Sequence, residues 1–377
     1  RVTAALAAVE RLAPTARRDA CAVALGERSY PVVVGDDLDA DLVVRSLPAD
    51  LTRVALITDS NVAPLWGDAV ATALATVLGT PPTVLTFPAG EASKTLATFD
   101  HLCHRAVAAG LDRSSAIVAL GGGVVGDLAG FVAASLFRGI ACVQLPTTLV
   151  AMVDSAIGGK TGVDLGAGKN LVGAIWQPRL VAAALPWLDT LPVRERRAAF
   201  GELWKYAVLD GEGTWAGVEA LAGWARGDAP ADPAVLARVI RRAAAYKAWI
   251  VGRDERERSG ERALLNLGHT VGHAIEGASD WRLLHGECVA LGLVAAARVS
   301  VALGLCDPDL EGRLAAALAG TGLDADVDPW LRDDVLDGLA VDKKRSGRHV
   351  KFVAVREVGR CEVVAVEVTE LRRILRR

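Results

Sequence analysis

The sequence predicts a Rossmann-like α/β amino-terminal domain with a mainly parallel sheet, followed by a mostly α-helical carboxyl-terminal domain. Three observations lead there. From residue 22 to about 190, short β-branched runs end in Gly, Pro or polar residues and give way to helical stretches, the alternation of a sheet crossed by helices. Beyond about residue 190 the strand signal fades, and long Ala-rich stretches run to about Gly322. At 377 residues the chain exceeds the size at which one hydrophobic core usually stops growing, so two domains are the default.

Residues 1–20 carry charges throughout and lack the unbroken apolar core of a signal peptide. They are set apart as an amino-terminal extension, with the α/β domain over 21–190 and the helical domain over 191–377. CAVALGERSYPVVVG has two β-branched runs around Gly26 and Glu27 and reads as a hairpin. RVALITDSNVAPL and TVLTFPAGEASK each give a strand, polar or Gly/Pro punctuation, then a helix, and SSAIVALGGGVVGD and ACVQLPTTLV continue the pattern. Ligands are expected where the carboxyl ends of such strands gather. Near the end, HVKFVAVREVGRCEVVAVEV is a short β-like segment.

Composition excludes several classes. The apolar stretch Val289–Leu305 is interrupted by Arg298, Ser300 and glycines, so it reads as a buried helix rather than a membrane span. With 42 basic residues against 45 acidic ones and a formal charge of -3, nucleic acid is not an expected partner. Six dispersed cysteines form no CxxC pair, which points away from a disulfide framework and from a thiolate zinc site. A cytoplasmic location is expected.

Three motifs carry chemistry. Ile117–Leu120 leads into Gly121, Gly122, Gly123 and Gly126 and then a helix. Such glycines let backbone N–H groups at a helix start approach a pyrophosphate. The acidic residue usual at the end of the next strand is absent, since that run reads ACVQLPTT, and a plain strand-to-helix turn fits the glycines equally well. Next, Lys160 in IGGKTG and Lys169 with Asn170 in GAGKN sit among glycines. There, charge and backbone donors could hold a phosphate together; solvated loops are the alternative. Third, His269 and His273 lie four apart on a predicted helix, with His285 close behind. Together with a carboxylate such as Glu202 they offer the nitrogen and oxygen ligands of a catalytic zinc site.

PAGEASK, GGGVVGDLAGF, FRGI, QLPTTLVAMVDSAIGGKTGVDLGAGKNLVGA, LPVRER, GELWKY, LLNLGHTVGHAIE, LHGE and DKK resemble, in order and spacing, the 3-dehydroquinate synthases of the sugar phosphate cyclase superfamily. The resemblance runs from about Ala22 to about Val368 and implies the following. Glu202, His269 and His285 hold a divalent metal, zinc or cobalt, and His273 faces the substrate instead. NAD is contacted by Asp59, Asn61, Glu91, Lys94, Gly122, Gly123, Gly126, Asp127, Thr147, Thr148, Lys169 and Thr190. Lys205, His273, Asp154 and Asn266 are catalytic. Lys160, Asn170, Lys247, Arg262 and Lys343 surround a phosphorylated sugar acid, with Lys344 a second candidate beside Lys343. Arg138 reaches across from the partner subunit of a homodimer. The chain departs from the common pattern at Asp164, at Trp204 and in having one residue fewer between Lys247 and Arg262.

The implied reaction turns a seven-carbon phosphorylated sugar acid into a carbocycle. NAD transiently oxidises a ring hydroxyl, phosphate leaves, the hydride returns, and the ring opens and recloses by an aldol step. Rival readings are an amino-dehydroquinate, valiolone or inosose cyclase of secondary metabolism, or a metal-dependent polyol dehydrogenase. Arg262 with Lys247 suits a substrate carboxylate, which valiolone and inosose precursors lack. The lysine clusters argue against an unphosphorylated polyol.

Overall fold

A computed structural model describes residues 19–279, 282–339 and 349–376, the backbone of 345–346, and Ala7, Val9 and Leu12. The chain separates into two compact units, one of Arg1–Leu191 with Lys247–Arg256 and the other of Pro192–Tyr246 with Glu257–Arg377. The segment Lys247–Arg256, which a division at residue 190 gives to the second domain, thus clusters with the first.

The first unit is built on a seven-stranded sheet. Its strands are β1 (Ala20–Val23), β2 (Tyr30–Gly35), β3 (Val54–Asp59), β4 (Thr83–Phe87), β5 (Ala116–Gly121), β6 (Ala141–Pro146) and β9 (Leu180–Ala184), in the order β1-β2-β9-β6-β5-β3-β4. All neighbours run parallel except β1 and β2, which form the expected antiparallel hairpin. Every residue of β3 and of β5 is buried, which explains their continuous apolar runs: helices cover both faces of a parallel sheet. Among these helices are α1 (Ala40–Ser46), α2 (Asp68–Leu78), α3 (Leu96–Ala108) and α4 (Gly123–Ser135). On one face, Ile57, Leu85, Ile117 and Ala119 pack with Leu102 of α3 and Val125, Leu128 and Val132 of α4.

From β3 the chain visits the edge strand β4 and then returns across β3 to β5. The strand order therefore reverses between β3 and β5, the place where open α/β sheets bind ligands at their carboxyl ends.

One sequence expectation is corrected. IGGKTGVDLGAGKNLVGA, read as two glycine-rich loops, forms an antiparallel hairpin of β7 (Lys160–Leu165) and β8 (Gly168–Ile175). The opposed pair Gly162 and Gly173 accounts for the glycines, because a Cβ on Gly162 would lie 2.4 Å from the Val172 carbonyl oxygen and one on Gly173 would lie 2.0 Å from that of Thr161.

The second unit is mostly helical. Its main helices are α5 (Val193–Asp210), the part of α6 (Pro233–Arg253) up to Tyr246, α7 (His269–Ala278), α8 (His285–Ala302) and α9 (Leu310–Gly320). A small sheet of β10 (Arg345–Ser346), β11 (His349–Glu357) and β12 (Arg360–Glu367) lies near the end. It packs on the helices: Val355 N–H donates to Ser300 Oγ at 2.9 Å, and Gly359 N–H donates to the Val208 carbonyl at 2.8 Å. Among the described residues, α8 is the one helix long and apolar enough to cross a membrane by length and composition, and 72% of it is buried within the protein. It is the core helix of this unit, as its Arg and Ser interruptions predict. All six cysteines are free thiols.

Candidate functional site

In the first unit, most of the residues assigned to NAD lie at or just past the carboxyl ends of four strands, while Lys169 lies in β8 and Thr190 ends a 3-10 turn after β9. Asp59 ends β3 and Asn61 follows it, Glu91 and Lys94 follow β4, the glycine turn begins at the last residue of β5, and Thr147 and Thr148 follow β6. Asp59 Oδ1 accepts the N–H groups of Asn61 and Val62, both at 2.9 Å, and so shapes its own turn. The glycine turn has a double explanation. A Cβ on Gly121 would meet the branched Val125 side chain at 2.4 Å, so packing alone requires that glycine, whereas one on Gly126 would meet only the tip of Gln144 at 2.9 Å. α4 nevertheless starts at Gly123, with Gly122 as an N-cap that supplies no side-chain hydrogen bond, and the N–H groups of such a helix start suit an anion.

Lys94 is the hub of a charged group. Although buried, its Nζ lies 2.6 Å from Asp127 Oδ2 and 2.5 Å from Asn170 Oδ1, with Glu91 at 3.8 Å. Burial disfavours its charge, but Asp127 and Glu91 outweigh this and raise its pKa above the ordinary lysine value. Burial likewise pushes the Asp127 carboxyl up to about 6, with Lys94 pulling back. At neutral pH the two therefore stand as an ion pair. Lys169 Nζ lies 4.0 Å from Glu91. Asp164, one of the departures from the common pattern, accepts the Asn170 N–H at 2.7 Å and so holds Asn170 in its left-handed conformation at φ 55, one that Asn tolerates better than most residues. Asn170 was assigned to substrate and Lys94 to NAD; the structure bonds them to each other.

Elsewhere in this unit, Thr148 Oγ1 accepts the Ala151 N–H at 3.3 Å, and Thr190 Oγ1 accepts from Trp66 Nε1 at 3.1 Å. Lys247 is buried, its Nζ 2.9 Å from Asp154 Oδ2 and 2.6 Å from the Asp154 carbonyl. Lys160 opens β7 and is exposed, as is Arg138. Phe137 and Arg138 are consecutive left-handed residues, with φ 52 and 70, a conformation that costs about 1–3 kcal/mol per non-glycine residue.

In the second unit, Glu202, His269 and His285 converge. Glu202 is buried in α5; its Oε1 lies 3.1 Å from His285 Nε2 and 3.3 Å from His269 Nε2. Its Oε2 pairs with Lys205 Nζ through charge, without hydrogen-bond geometry. Lys205 is equally buried and also lies over the Tyr206 ring. Burial would raise the Glu202 pKa, but Lys205 and His269 outweigh it and hold the carboxyl well below the usual range. Burial keeps His269 below the ordinary histidine value, with Glu202 opposing. Burial acts the same way on His285, but there Glu202 and Glu276 win and push it up to about 10.

The donors fit a divalent ion. One carboxylate oxygen and two imidazole nitrogens lie within 4.8 Å of one another, the two-histidine, one-carboxylate set of a catalytic zinc site. Glycines bring them together. Gly201 precedes Glu202, Gly268 precedes His269 and Gly286 follows His285. A Cβ on Gly201 would lie 1.9 Å from the Gly286 carbonyl oxygen, and one on Gly286 would lie 1.8 Å from that of Ala198. Gly268 offers its carbonyl to Gly292, whose own Cβ would lie 1.8 Å away. Backbone meets backbone where α5, α7 and α8 meet.

His273 shares the α7 face with His269, their ring centroids 5.2 Å apart, but its side chain is exposed. Arg262 is buried on a 3-10 turn, Glu261–Asn266, with its Nε 3.7 Å from Glu257 Oε1. Asn266 closes that turn and is half-buried. Lys343 and Lys344 lie outside the described residues. A cavity of about 390 Å³ between Ser259, Leu264, Lys351 and Cys361 contains none of the assigned residues. Sequence reasoning missed Glu276, whose carboxylate faces His285 Nδ1 at 3.5 Å; its i, i+3 spacing from His273 was the available signal.

Comparison with known proteins covers both halves of the chain. Residues 84–198 match the family model described as 3-dehydroquinate synthase N-terminal, and residues 199–345 match 3-dehydroquinate synthase C-terminal. A 3-dehydroquinate synthase from Symbiobacterium thermophilum is 50% identical over 326 residues, covering 82% of this chain and 88% of that one. One from Paracoccus denitrificans is 45% identical, covering 95% and 98%. Among solved structures, 2-deoxy-scyllo-inosose synthase complexed with carbaglucose-6-phosphate, NAD+ and Co2+ has a TM-score of 0.83 at 28% identity, covering 95% of this chain and 99% of that one. The 2-epi-5-epi-valiolone synthase from Streptomyces hygroscopicus, with NAD+ and Zn2+ bound, has a TM-score of 0.83 at 27% identity, covering 93% and 97%.

Proposed function

The chain belongs to the 3-dehydroquinate synthase family, and from that premise we propose that it converts 3-deoxy-D-arabino-heptulosonate 7-phosphate into 3-dehydroquinate and phosphate. The observation that carries this reading is the family match across both halves, in a chain whose Glu202, His269 and His285 form one buried donor set. Neighbouring cyclases that bind NAD+ with Co2+ or Zn2+ support the same two cofactors here. The reaction belongs to the shikimate pathway of aromatic amino acid synthesis. The proposed setting is a cytoplasmic homodimer to which Arg138 contributes across subunits, acting on a small molecule without nucleic acid or membrane.

When bound, NAD takes and returns one hydride while the divalent ion polarises the neighbouring oxygens as a Lewis acid. Glu202, His269 and His285 would hold that ion, zinc or cobalt. Lys205 balances the second oxygen of Glu202, and the exposed ring of His273 is the group that exchanges a proton with a substrate hydroxyl. The uncapped start of α4 would receive the cofactor pyrophosphate, with Lys94 and Asp127 supplying a fixed ion pair beside it. Asp154, held by Lys247 Nζ at 2.9 Å, is the proposed partner of a reacting hydroxyl. Lys160, Asn170, Lys247, Arg262, Asn266 and Lys343 are the proposed contacts of the anionic substrate.

The test is incubation with the sugar acid phosphate, NAD and zinc or cobalt, following phosphate and NADH together. Phosphate release that needs NAD but accumulates no NADH is the expected result. Stoichiometric NADH without phosphate would replace this reading with a dehydrogenase. Turnover of an amino or decarboxylated analogue in preference to the acid would replace it with another cyclase.

Arg262 tests substrate class. A guanidinium grips a carboxylate through two parallel hydrogen bonds, whereas a lysine is a point charge. Losing such a charge-assisted pair costs about 1.5–3 kcal/mol. Arg262→Lys is therefore expected to lower kcat/KM on the acid about tenfold to a hundredfold, at about 1.4 kcal/mol per decade. A seven-carbon sugar phosphate lacking the carboxylate should be a poor substrate for the unmodified chain and lose little further. Equal losses on both substrates would make Arg262 a structural residue.

A further inference from the structure

We propose that Glu276 is a positioning residue that fixes His285 as an Nε2 ligand, and that its carboxylate thereby sets how tightly the chain holds its divalent ion. This rests on the metal reading above. Both imidazoles direct Nε2 at one oxygen, Glu202 Oε1, at 3.1 and 3.3 Å. For both to offer a lone pair there, each ring must carry its proton on Nδ1, and the acceptor opposite Nδ1 decides whether it does.

The two histidines solve this differently. His269 Nδ1 is 3.0 Å from the Leu267 carbonyl, a backbone acceptor two residues away that no side-chain change removes. Its side chain is only 11% exposed, so packing also holds the ring. His285 is the first residue of α8 and its side chain is 39% exposed, so packing holds it less. Its Nδ1 faces Glu276 Oε2 at 3.5 Å, and that carboxylate is itself 9% exposed. The separation is at the outer edge of hydrogen-bond range, and the acceptor is a buried carboxylate with a full charge to offer the ring. Of the two rings, His285 is therefore the one whose tautomer and direction depend on a removable group. Partners of this kind change metal affinity by about 10–100-fold when lost.

Glu276 also lies with His273 and His285 in a second group of donors close enough to share an ion. If it were itself a ligand, two ions would bind per chain, and the measurement must separate that case.

The experiment is chelator competition with Co2+ on the full chain, giving affinity and stoichiometry, together with the visible spectrum of the bound cobalt. It compares the unmodified chain with His285→Ala, Glu276→Ala and Glu276→Gln. One ion per chain is expected. Glu276→Ala should weaken binding about 10–100-fold and shift the cobalt spectrum, and Glu276→Gln, which keeps an acceptor without the charge, should recover part of the loss. Should the alanine variant not fold, judged by circular dichroism, the glutamine variant decides on the same readouts. Unchanged affinity in both Glu276 variants, with a loss in His285→Ala, overturns the positioning role and leaves the metal reading standing. Unchanged affinity in His285→Ala overturns the metal reading and the proposal with it. Two ions in the unmodified chain and one in Glu276→Ala overturn the proposal by making Glu276 a ligand.

Discussion

Glu202→Gln is expected to lower phosphate release by about a thousandfold or more and to leave the purified chain without bound zinc or cobalt. The expectation follows from the geometry: one oxygen of Glu202 serves both His269 and His285, and the other faces Lys205. An amide keeps the shape but removes the charge that attracts the cation. Lewis-acid stabilisation of the reacting oxygens is worth several kcal/mol, and about 1.4 kcal/mol is a factor of ten in rate. Chelation of the unmodified chain should reproduce the loss, and zinc or cobalt should restore it. The glutamine variant is preferable to alanine because it leaves no void beside Lys205; it still removes the partner of a buried charge, at about 3–5 kcal/mol, so its fold is checked by circular dichroism. Metal content by atomic absorption, read beside phosphate release, decides the matter; full turnover after complete chelation would refute the role.

Gly286→Ala should be among the most damaging small-to-large changes in the second unit. The added Cβ would lie 1.8 Å from the Ala198 carbonyl oxygen, and both partners are backbone, so α5 and α8 must part. Overpacking costs about 1–3 kcal/mol and occasionally more; here the upper end or beyond is expected, with weaker metal retention because His285 is the adjacent residue. Gly277→Ala is the control. It lies in α7 with nothing near its missing Cβ, so helix propensity predicts a neutral or stabilising change of up to about 1 kcal/mol. Denaturant midpoints for the two variants should move in opposite directions or by very different amounts. Comparable losses in both would show that the contact is not what Gly286 provides.

Much of this was legible in the chain. The apolar runs of β3 and β5 gave their strands because a parallel sheet covered on both faces tolerates no polar alternation. The interrupted stretch after Val289 gave a buried helix because Arg298 reaches outward to Glu311 and Asp328 and Ser300 satisfies itself on Ala296. Spacing put His269 and His273 on one helix face. It could not tell which ring turns inward, since that depends on where α5 delivers Glu202. The β7–β8 hairpin was hidden by its glycines: alternation is diluted, and the need for Gly162 opposite Gly173 exists only once the strands have paired. Glu276 offered only its i, i+3 spacing from His273 as a signal, and otherwise reads as an ordinary helix acid until α8 sets an imidazole beside it.

The backbone contacts at Gly201, Gly268 and Gly286 bear on how freely this sequence can drift. Where a centre is held by interdigitated side chains, each substitution in the surrounding core is felt at the ligands. Here the spacing of the three ligand-bearing segments is set by main-chain atoms, which have the same shape whatever side chains stand nearby. Leu203, Val208, Val289, Leu291 and Val294 are thus free to exchange among apolar residues of similar volume while the centre stays in register, and a combinatorial library over those positions with the three glycines held constant would be rich in members that still retain metal.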